Sequence, residues 1–200
     1  MNAGDPDLDT NEVLDIFRQS GALLEGHFIL TSGAHSPNYF QCARVLQHPN
    51  WAQLLCAEIA MFFKDQKIHA VAAPAIGGII VGHEVARTLN ARSVFSEREN
   101  GVMQFRRGFE IRRDENVLVV EDVVTTGGSL KEVVQLCRDA NANVVGVGFL
   151  VDRSNGKVEF GVPKFSLVSV DVIKYEPSEC PLCKEGTLPA VKPGSRTLSK

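Results

Sequence analysis

Short apolar runs alternate with longer amphipathic segments along most of this 200-residue chain. The runs are four to eight residues long, which is typical of strands, and apolar residues recur at helical spacing in the segments between them. The predicted core strands are 68–73, 92–96, 117–120, 144–151 and 165–170. Because strands that alternate with helices usually pair in parallel, the pattern predicts an α/β fold: a mostly parallel five-stranded sheet flanked by helices.

The two ends of the chain do not follow this alternation. Asp9, followed three residues later by Glu12, predicts the start of an N-terminal helix. Residues 22–45 lack helical periodicity and hold two apolar stretches around a polar turn, which predicts a hairpin outside the main sheet. Such a hairpin could cover a site, and an ordinary edge hairpin is the alternative.

We interpret the chain as one domain spanning residues 1–200. Its core would comprise about 47–170, and a small hood over the site would be formed by the N-terminal hairpin and the C-terminal tail, about 8–46 and 171–200.

The composition excludes several classes of partner. Hydrophobic residues make up 44% of the chain, charged residues 22%, and the net charge is −3, so nothing favours nucleic acid or an anionic membrane. No apolar run approaches the roughly 20 residues that cross a bilayer. Five cysteines, an odd number, are typical of reduced thiols, and we therefore expect a cytoplasmic protein.

The stretch 117–129 carries the most specific chemistry. It reads Val-Leu-Val-Val-Glu-Asp-Val-Val-Thr-Thr-Gly-Gly-Ser, which is a buried strand, two carboxylates and a small-residue loop before a helix. Loop amides, hydroxyls and the positive helix end would bind a phosphate. Glu121 and Asp122 would repel a bare phosphate but can bind sugar hydroxyls, directly or through a divalent metal. The stretch thus predicts a ribose phosphate ligand; a structural strand–turn–helix corner is the alternative.

Three further features are candidate parts of a site. Residues 74–78, Pro-Ala-Ile-Gly-Gly, form a second small-residue loop after a strand, where backbone amides could approach an anion. The arginine-rich segment 97–114 is long for a connection between core strands, which is typical of a lid. Within it, 102–105 and 109–111 are predicted to pair as a hairpin. Arg153 ends a predicted strand, where α/β proteins place ligand-binding residues. Each feature has a simpler alternative. The loop at 74–78 could be a structural turn, the segment 97–114 a solvated hairpin, and Arg153 a surface arginine.

These motifs resemble those of the type I phosphoribosyltransferases, and of orotate phosphoribosyltransferases in particular. Residues 117–129 resemble the diphosphate-sugar signature of the former. Leu-Thr-Ser-Gly-x-x-Ser-Pro-x-Tyr-Phe at 30–40 resembles the hood of the latter, and Asp152-Arg153 their orotate-carboxylate motif. Phe-x-Glu-Arg at 95–98, Arg-Arg-Gly-Phe-Glu at 106–110 and the Cys-Pro-Leu-Cys tail match one subgroup, so the resemblance covers nearly the whole chain.

The chain departs from the common family pattern at several positively charged residues. Thr31 and Gly77 stand where some members have lysine, and the lid has arginines in place of lysine and histidine. Arginine can stabilise a departing diphosphate but cannot donate a proton to it, because its guanidinium stays charged.

The resemblance implies a pentosyltransferase, which is a glycosyltransferase. It would transfer ribose 5-phosphate from 5-phospho-α-D-ribose 1-diphosphate to orotate, giving orotidine 5′-phosphate and diphosphate in de novo pyrimidine (UMP) biosynthesis. The implied cofactor is Mg²⁺, held mainly by the substrate diphosphate and ribose hydroxyls. The implied assembly is a homodimer in which the arginine-rich loop reaches the neighbouring active site.

The resemblance also assigns residues to each role. The sugar diphosphate would be bound by Glu121, Asp122, Val123, Val124, Thr125, Thr126, Gly127, Gly128 and Ser129, by Ala75, Ile76 and Gly77, and by Arg98, Arg106 and Arg107. Orotate would be bound by Thr125, Arg153, Tyr39 and Phe40. The implied catalytic residues are Arg98, Asp122 and Glu121, which would act by positioning and charge stabilisation.

Three questions stay open at this point. A purine-specific phosphoribosyltransferase would share the 117–129 stretch, and a non-catalytic regulator could bind the same sugar diphosphate. Cys180 and Cys183 could belong to a packed cap, a metal site or a redox pair. A structural metal site requires four ligands, and the other cysteines offer no second pair.

Overall fold

The computed structural model describes residues 8–30, 32–170 and 173–193. Thr31, the last residues of the predicted hood (194–200) and residues 1–7 and 171–172 lie outside the described ranges. The helices are α1 (Thr10–Gln19), α2 (Ala43–Leu46), α3 (Pro49–Phe62), α4 (Gly78–Leu89), α5 (Gly128–Asp139) and α6 (Pro181–Glu185). The strands are β1 (Leu23–Ile29), β2 (His35–Phe40), β3 (Ala70–Pro74), β4 (Arg92–Glu99), β5 (Val102–Phe105), β6 (Asn116–Val124), β7 (Asn143–Asp152) and β8 (Lys164–Ser169).

The main sheet has the strand order β5-β4-β3-β6-β7-β8. Strands β4, β3, β6, β7 and β8 are parallel, which confirms the predicted α/β class and the five predicted core strands. The predicted number of strands is wrong by one, because β5 adds an antiparallel edge strand next to β4.

The predicted partner of residues 102–105 is also wrong. Val102–Phe105 pairs with the end of β4 rather than with residues 109–111, which form no strand. The turn between β4 and β5 is Asn100-Gly101, with positive φ angles of 51° and 84°. Asparagine followed by glycine is a strong hairpin signal, because both residues tolerate the positive φ that the tight turn requires.

The helices cover both faces of the main sheet and bury its apolar runs. Helices α1, α3 and α4 form one apolar layer with side chains such as Phe17, Ile59 and Val81, and α5 forms the other. Helix α3 can approach β7 closely because β7 contains Gly146 and Gly148, where an added Cβ would collide with Phe63 and Ile59. No helix of the described ranges is both long and apolar enough to cross a membrane.

The hairpin β1–β2 forms its own two-stranded sheet, as predicted. The C-terminal tail pairs with it on both sides. The backbone of His35 exchanges two 2.8 Å hydrogen bonds with Tyr175, and Val191 bonds to His27 and Ile29 at 2.9 and 2.8 Å. The hairpin and the tail are therefore one structural unit, although about 150 residues separate them along the chain.

Candidate active site

A cavity of about 450 Å³ lies at the carboxyl ends of β3, β6 and β7, between the sheet and the hood. Parallel strands present their carboxyl ends on one edge, and ligands of α/β proteins bind there. Its lining comes from four segments: Tyr39–Cys42, Pro74–Gly77, Glu121–Leu130 and Arg153, with Lys192 and Pro193 from the tail. The cavity thus collects both small-residue loops and every residue expected to bind orotate.

The loop after β6 has the geometry of an anion site. Helix α5 begins at Gly128, two residues earlier than predicted, and no side chain caps its first turn. Its free backbone N–H groups and positive end therefore face the cavity. Gly127 has φ +72°, and an added Cβ there would lie 2.6 Å from Val158 Cγ1. Only glycine fits this position without moving its neighbours.

The loop after β3 makes a second uncapped helix start. Gly77 precedes α4 and gives its N–H groups no side-chain cap. The peptide bond between Ala75 and Ile76 is cis. A Cβ on Gly77 would lie 2.6 Å from both carboxylate oxygens of Asp122. The two loops therefore meet at this point, and a lysine at position 77 would require Asp122 to move.

The two acids lie between the loops. Glu121 is 9% exposed, and Asp122 Oδ1 accepts a 2.9 Å hydrogen bond from the Val123 N–H. Burial raises the pKa of the Asp122 carboxyl, although hydrogen bonds from Val123 and with Glu121 oppose the shift. Asp122 therefore takes up a proton at a higher pH than an exposed aspartate does.

Arg153 offers an uncompensated positive charge. Its backbone is fixed by a 2.8 Å hydrogen bond from its N–H to the Val124 carbonyl, while its Nε is buried and has no hydrogen-bond partner in the part of the chain that the structure describes. Burial lowers the pKa of its guanidinium from the ordinary value. The neighbouring Asp152 does not neutralise it, because its carboxylate accepts bonds from Ser154 and Gly156. A buried, unpaired donor of this kind is expected to bind an anion.

Tyr39 and Phe40, the two aromatic residues of the hood, differ in how accessible their rings are to a base in the cavity. Neighbouring residues of a strand point to opposite faces, so Tyr39 and Phe40 cannot both present rings to the cavity. Phe40 is 7% exposed and packs edge-on against Phe17 of the core, with ring centroids 5.8 Å apart. Tyr39 is half-buried, and its ring centroid lies 5.9 Å from that of Phe28. Tyr39 is therefore the better candidate to stack on a base, with Phe40 supporting the strand.

Lys192 is a cavity residue that the sequence did not reveal. Among residues 8–30, 32–170 and 173–193, its buried Nζ has no hydrogen-bond partner, and the pairing of Val191 with β1 fixes its position. It begins the Lys-Pro-Gly-Ser-Arg stretch, which resembles the tail of the same subgroup, but that resemblance assigns it no role. Only the long-range pairing of the tail with the hairpin brings it to the cavity. It supplies a cation in a site where the family lysines at 31 and 77 are missing.

The three arginines expected at the diphosphate do not line the cavity. Each is paired with a carboxylate that does not line the cavity: Arg98 with Glu132 of α5 at 2.8 Å, Arg106 with Glu99 of β4 at 2.7 Å and Arg107 with Glu97 of β4 at 2.7 Å. The three arginine side chains are 42–62% exposed. Arg98 and Arg107 each bind both oxygens of their carboxylate, so a diphosphate would have to displace these two-pronged pairs.

Cys42 lies in the cavity wall but is not a nucleophile. It is 2% exposed, and burial raises the pKa of its thiol well above the ordinary value. The thiol therefore stays protonated and unreactive.

Comparisons with known proteins agree with this geometry. Residues 42–175 match the phosphoribosyl transferase domain. A curated orotate phosphoribosyltransferase from Desulforamulus reducens is 55% identical over 192 residues, which cover 96% of this chain and 100% of the relative. The structure of an orotate phosphoribosyltransferase from Aeropyrum pernix superposes with a TM-score of 0.67 at 25% identity, over 79% of this chain and 93% of that one.

The fold alone does not distinguish an enzyme for orotate from an enzyme for adenine. An adenine phosphoribosyltransferase from Rhodothermus marinus superposes almost as well, with a TM-score of 0.64 at 20% identity, over 80% of this chain and 99% of that one. The distinction comes from the sequence, which is 55% identical to the Desulforamulus reducens orotate enzyme over 96% of this chain. The resemblance seen in the motifs is confirmed, and the chain belongs to the orotate phosphoribosyltransferase family.

Proposed function

We propose that this chain transfers ribose 5-phosphate from 5-phospho-α-D-ribose 1-diphosphate to orotate, releasing diphosphate. The observation that carries the proposal is a single cavity in which an uncapped helix start, a pair of acids and an unpaired arginine lie together. The first two features suit a ribose phosphate. The third suits a base that bears a carboxylate, as orotate does.

The sugar diphosphate would lie across the two loops. Residues 125–129 would bind the 5-phosphate with backbone N–H groups and hydroxyls, and Ala75–Gly77 would receive the diphosphate. Glu121 and Asp122 would accept hydrogen bonds from the ribose hydroxyls between them. Lys192 would offset the negative charge that the substrates bring into the cavity.

Orotate would lie between the hood and Arg153. The guanidinium of Arg153 can form a two-pronged pair with the carboxylate, and Tyr39 can stack on the planar ring. Thr125 lines the cavity beside them and can hydrogen-bond to the base. Orotate would then be fixed with one ring nitrogen toward the anomeric carbon.

The reaction would need no covalent bond to the protein. The ring nitrogen loses its proton and forms a bond to the anomeric carbon while the bond to the diphosphate breaks, through an oxocarbenium-like state, and the departing diphosphate can take up that proton. The protein contributes positioning and charge stabilisation. The protonated thiol of Cys42 fits this scheme, since no nucleophilic side chain is required.

The donor set at the acids fits a magnesium ion. Carboxylate and hydroxyl oxygens are the hard ligands that Mg²⁺ prefers, and Mg²⁺ typically keeps substrate phosphates among its ligands. Bound Mg²⁺ would neutralise charge on the departing diphosphate. Glu121 and Asp122 would hold the ribose hydroxyls that complete its coordination.

The titration of Asp122 makes binding of the sugar diphosphate depend on pH. The raised pKa means that the carboxylate is fully charged only above that value, and protonation removes an acceptor for the ribose hydroxyls. At alkaline pH we expect wild type to bind the sugar diphosphate roughly tenfold more tightly than Asp122→Asn, since the variant lacks a charged acceptor. The advantage should shrink as pH falls through the raised pKa.

Calorimetric titration of both proteins across the pH range in which they stay folded measures this ratio. Ionisation of the ligand changes both affinities equally, so its effect cancels in the ratio. A ratio that does not change with pH would contradict the assigned role of Asp122.

We also propose a homodimer in which the arginine-rich segment serves the partner's cavity. None of Arg98, Arg106 and Arg107 lines the cavity of its own chain, yet each is 42–62% exposed and so accessible to a second copy. A second copy could bring these cations to the diphosphate, where Arg98 would stabilise the leaving group.

Mixing two inactive variants tests this assembly. We expect Arg98→Ala and Arg153→Ala to be weak alone, but to recover about a quarter of wild-type activity after mixing, because half the dimers then hold one intact site. Activity after refolding the mixture from denaturant measures the recovery. If the loop acted on its own cavity, mixing would restore nothing.

A purine base is the competing acceptor, favoured only by the adenine enzyme's similar fold. Turnover with orotate and with adenine, each with Mg²⁺ and the sugar diphosphate, distinguishes the two. We assign the reaction to de novo pyrimidine synthesis in the cytoplasm, a compartment that the five free cysteines fit.

A further inference from the structure

The hood contains a cluster of metal-ligating side chains that lies away from the cavity. His27 of β1, His35 of β2, and Cys180 and Cys183 of the tail point their ligand atoms at one another, and these atoms all lie within 4.8 Å. None of the four lines the cavity. The sequence showed only the two cysteines as a candidate pair, because the histidines lie about 150 residues away and share no motif with them.

The spacing of the ligand atoms matches a tetrahedral site. Zn–S distances of about 2.3 Å and Zn–N distances of about 2.0 Å place sulfur about 3.5 Å from nitrogen in a tetrahedron. In the structure, Cys180 Sγ lies 3.5 Å from His27 Nε2, and Cys183 Sγ lies 3.6 Å from His27 Nε2 and 3.3 Å from His35 Nδ1. The two nitrogens are 2.8 Å apart, closer than the about 3.3 Å of a tetrahedral pair, so a small ring rotation would accompany metal entry.

The orientation of His27 is fixed from outside the cluster. Its Nδ1 lies 3.0 Å from the Leu188 carbonyl oxygen, to which it donates a hydrogen bond when Nε2 carries the lone pair. Histidine ligands typically donate their second ring nitrogen in this way, which sets the tautomer and the ring plane. The carbonyl belongs to the same tail that supplies the cysteines.

The tail needs an attachment that its apolar side chains do not provide. Between residues 173 and 193, Cys180 is the one buried side chain, and α6 buries none. A segment with so little apolar burial gains little from the hydrophobic effect. Apart from the Nζ of Lys192, its buried group is the Cys180 thiol, which lies against two buried histidines, and the exposed Cys183 completes the set.

We propose that His27, His35, Cys180 and Cys183 form a structural zinc site that fastens the C-terminal tail to the N-terminal hairpin. Two thiolates and two imidazoles in a closed tetrahedral set favour Zn²⁺ over the oxygen-preferring Mg²⁺ and Ca²⁺. The four side chains leave no open position for a substrate. The site is therefore structural and distinct from the magnesium site proposed in the cavity.

The zinc would act on the cavity through the two segments that it joins. The hairpin carries Tyr39 and the tail carries Lys192, and both residues line the cavity. Losing the metal should free the tail and remove Lys192 from the cavity. This consequence rests on the proposed function, whereas the metal site itself does not.

Metal content of the purified, tag-free protein tests the site directly. We expect about one zinc per chain by elemental analysis, and none in Cys183→Ser or His35→Gln. Cys137→Ala and His83→Ala, which change a cysteine and a histidine outside the cluster, should keep the metal. Because Cys183 is exposed, its serine variant is expected to fold, and far-ultraviolet circular dichroism checks this.

Two further measurements keep the proposal falsifiable if a variant unfolds. Wild-type protein reconstituted with Co²⁺ should show the strong visible absorption of a tetrahedral thiolate site. A zinc-selective chelator should release the metal and make two additional thiols reactive. Full-length protein without zinc would overturn the proposal. So would a Cys180–Cys183 disulfide, seen as a mass two hydrogens lower, because its sulfurs could not bind as thiolates.

Steady-state kinetics test the proposed effect of the zinc site on the cavity. Zinc-free protein assayed in excess Mg²⁺ should show a KM for the anionic substrates raised roughly tenfold, with readdition of zinc restoring it. Unchanged KM values in zinc-free protein would overturn the link to the cavity. Zinc content is measured without any assay, so a failure of the proposed reaction would leave the metal site standing.

Discussion

Replacing Arg153 by alanine is expected to raise the KM for orotate about a hundredfold while changing the KM for the sugar diphosphate by less than about threefold. The reason is that Arg153 has no carboxylate partner within the described residues, and its buried Nε lacks any hydrogen bond. Its charge is therefore available to the orotate carboxylate. Steady-state kinetics with each substrate varied in turn separates the two constants.

Two control variants make the result specific. Arg18→Ala, on α1 and paired only with the exposed Asp15, should leave both constants unchanged. Arg153→Lys keeps the charge but loses the two-pronged geometry, and it should fall between alanine and wild type. Equal increases in both KM values for Arg153→Ala would mean that the residue supports the whole cavity rather than the base.

Replacing Gly127 by alanine is expected to lower kcat/KM at least about a hundredfold and to destabilise the fold by about 2 kcal/mol. The positive φ of 72° strains any residue with a Cβ, and that Cβ would lie 2.6 Å from Val158. The loop must shift to relieve the contact, and its amides then no longer converge on the phosphate. Thermal unfolding and kinetics measure the two effects.

Gly161→Ala is the matched control for that variant. Gly161 also has a positive φ, of 69°, but an added Cβ meets only the end of the Arg138 side chain at 3.6 Å. This control should cost about 1 kcal/mol of stability from backbone strain and leave kcat/KM within about twofold. If both variants lost activity equally, backbone strain and not the shape of the phosphate loop would explain the effect.

Local patterns in the sequence were sufficient for the parts of the fold that depend on neighbouring residues. Asp9 and Glu12 form the predicted capping box, with three hydrogen bonds of 2.7–2.9 Å. The apolar run at 117–120 likewise lies in a strand, but β6 continues to Val124, so Glu121 and Asp122 lie within the strand and not after it. A few consecutive side chains therefore locate each element, although they do not give the end of this strand.

Features that depend on distant residues could not be predicted in the same way. Lys192 enters the cavity only because Val191 pairs with β1, and the histidines meet the cysteines only because Tyr175 pairs with β2. No periodicity along the chain encodes such pairings. The strand partner of residues 102–105 was a different kind of error, because the Asn100-Gly101 turn signal was present and outweighs the charge pattern around it.

The type of residue in the arginine-rich segment did not predict where its arginine side chains lie. Their number predicts an anion-binding segment, yet in a single chain each one is paired with a glutamate outside the cavity. Such pairs keep the cations solvated until a more highly charged anion arrives. Their expected contact with diphosphate therefore stays a prediction that depends on the proposed dimer.

The most direct test of the central claim is the rate at which the purified protein converts orotate to orotidine 5′-phosphate. The loss of orotate absorbance in the presence of Mg²⁺ and the sugar diphosphate follows the reaction, and chromatography identifies the nucleotide. We predict steady turnover with orotate, nearly abolished in Arg153→Ala at low orotate, and no turnover with adenine. Turnover with adenine but not orotate, or tight binding of the sugar diphosphate without turnover of either base, would contradict the proposed function.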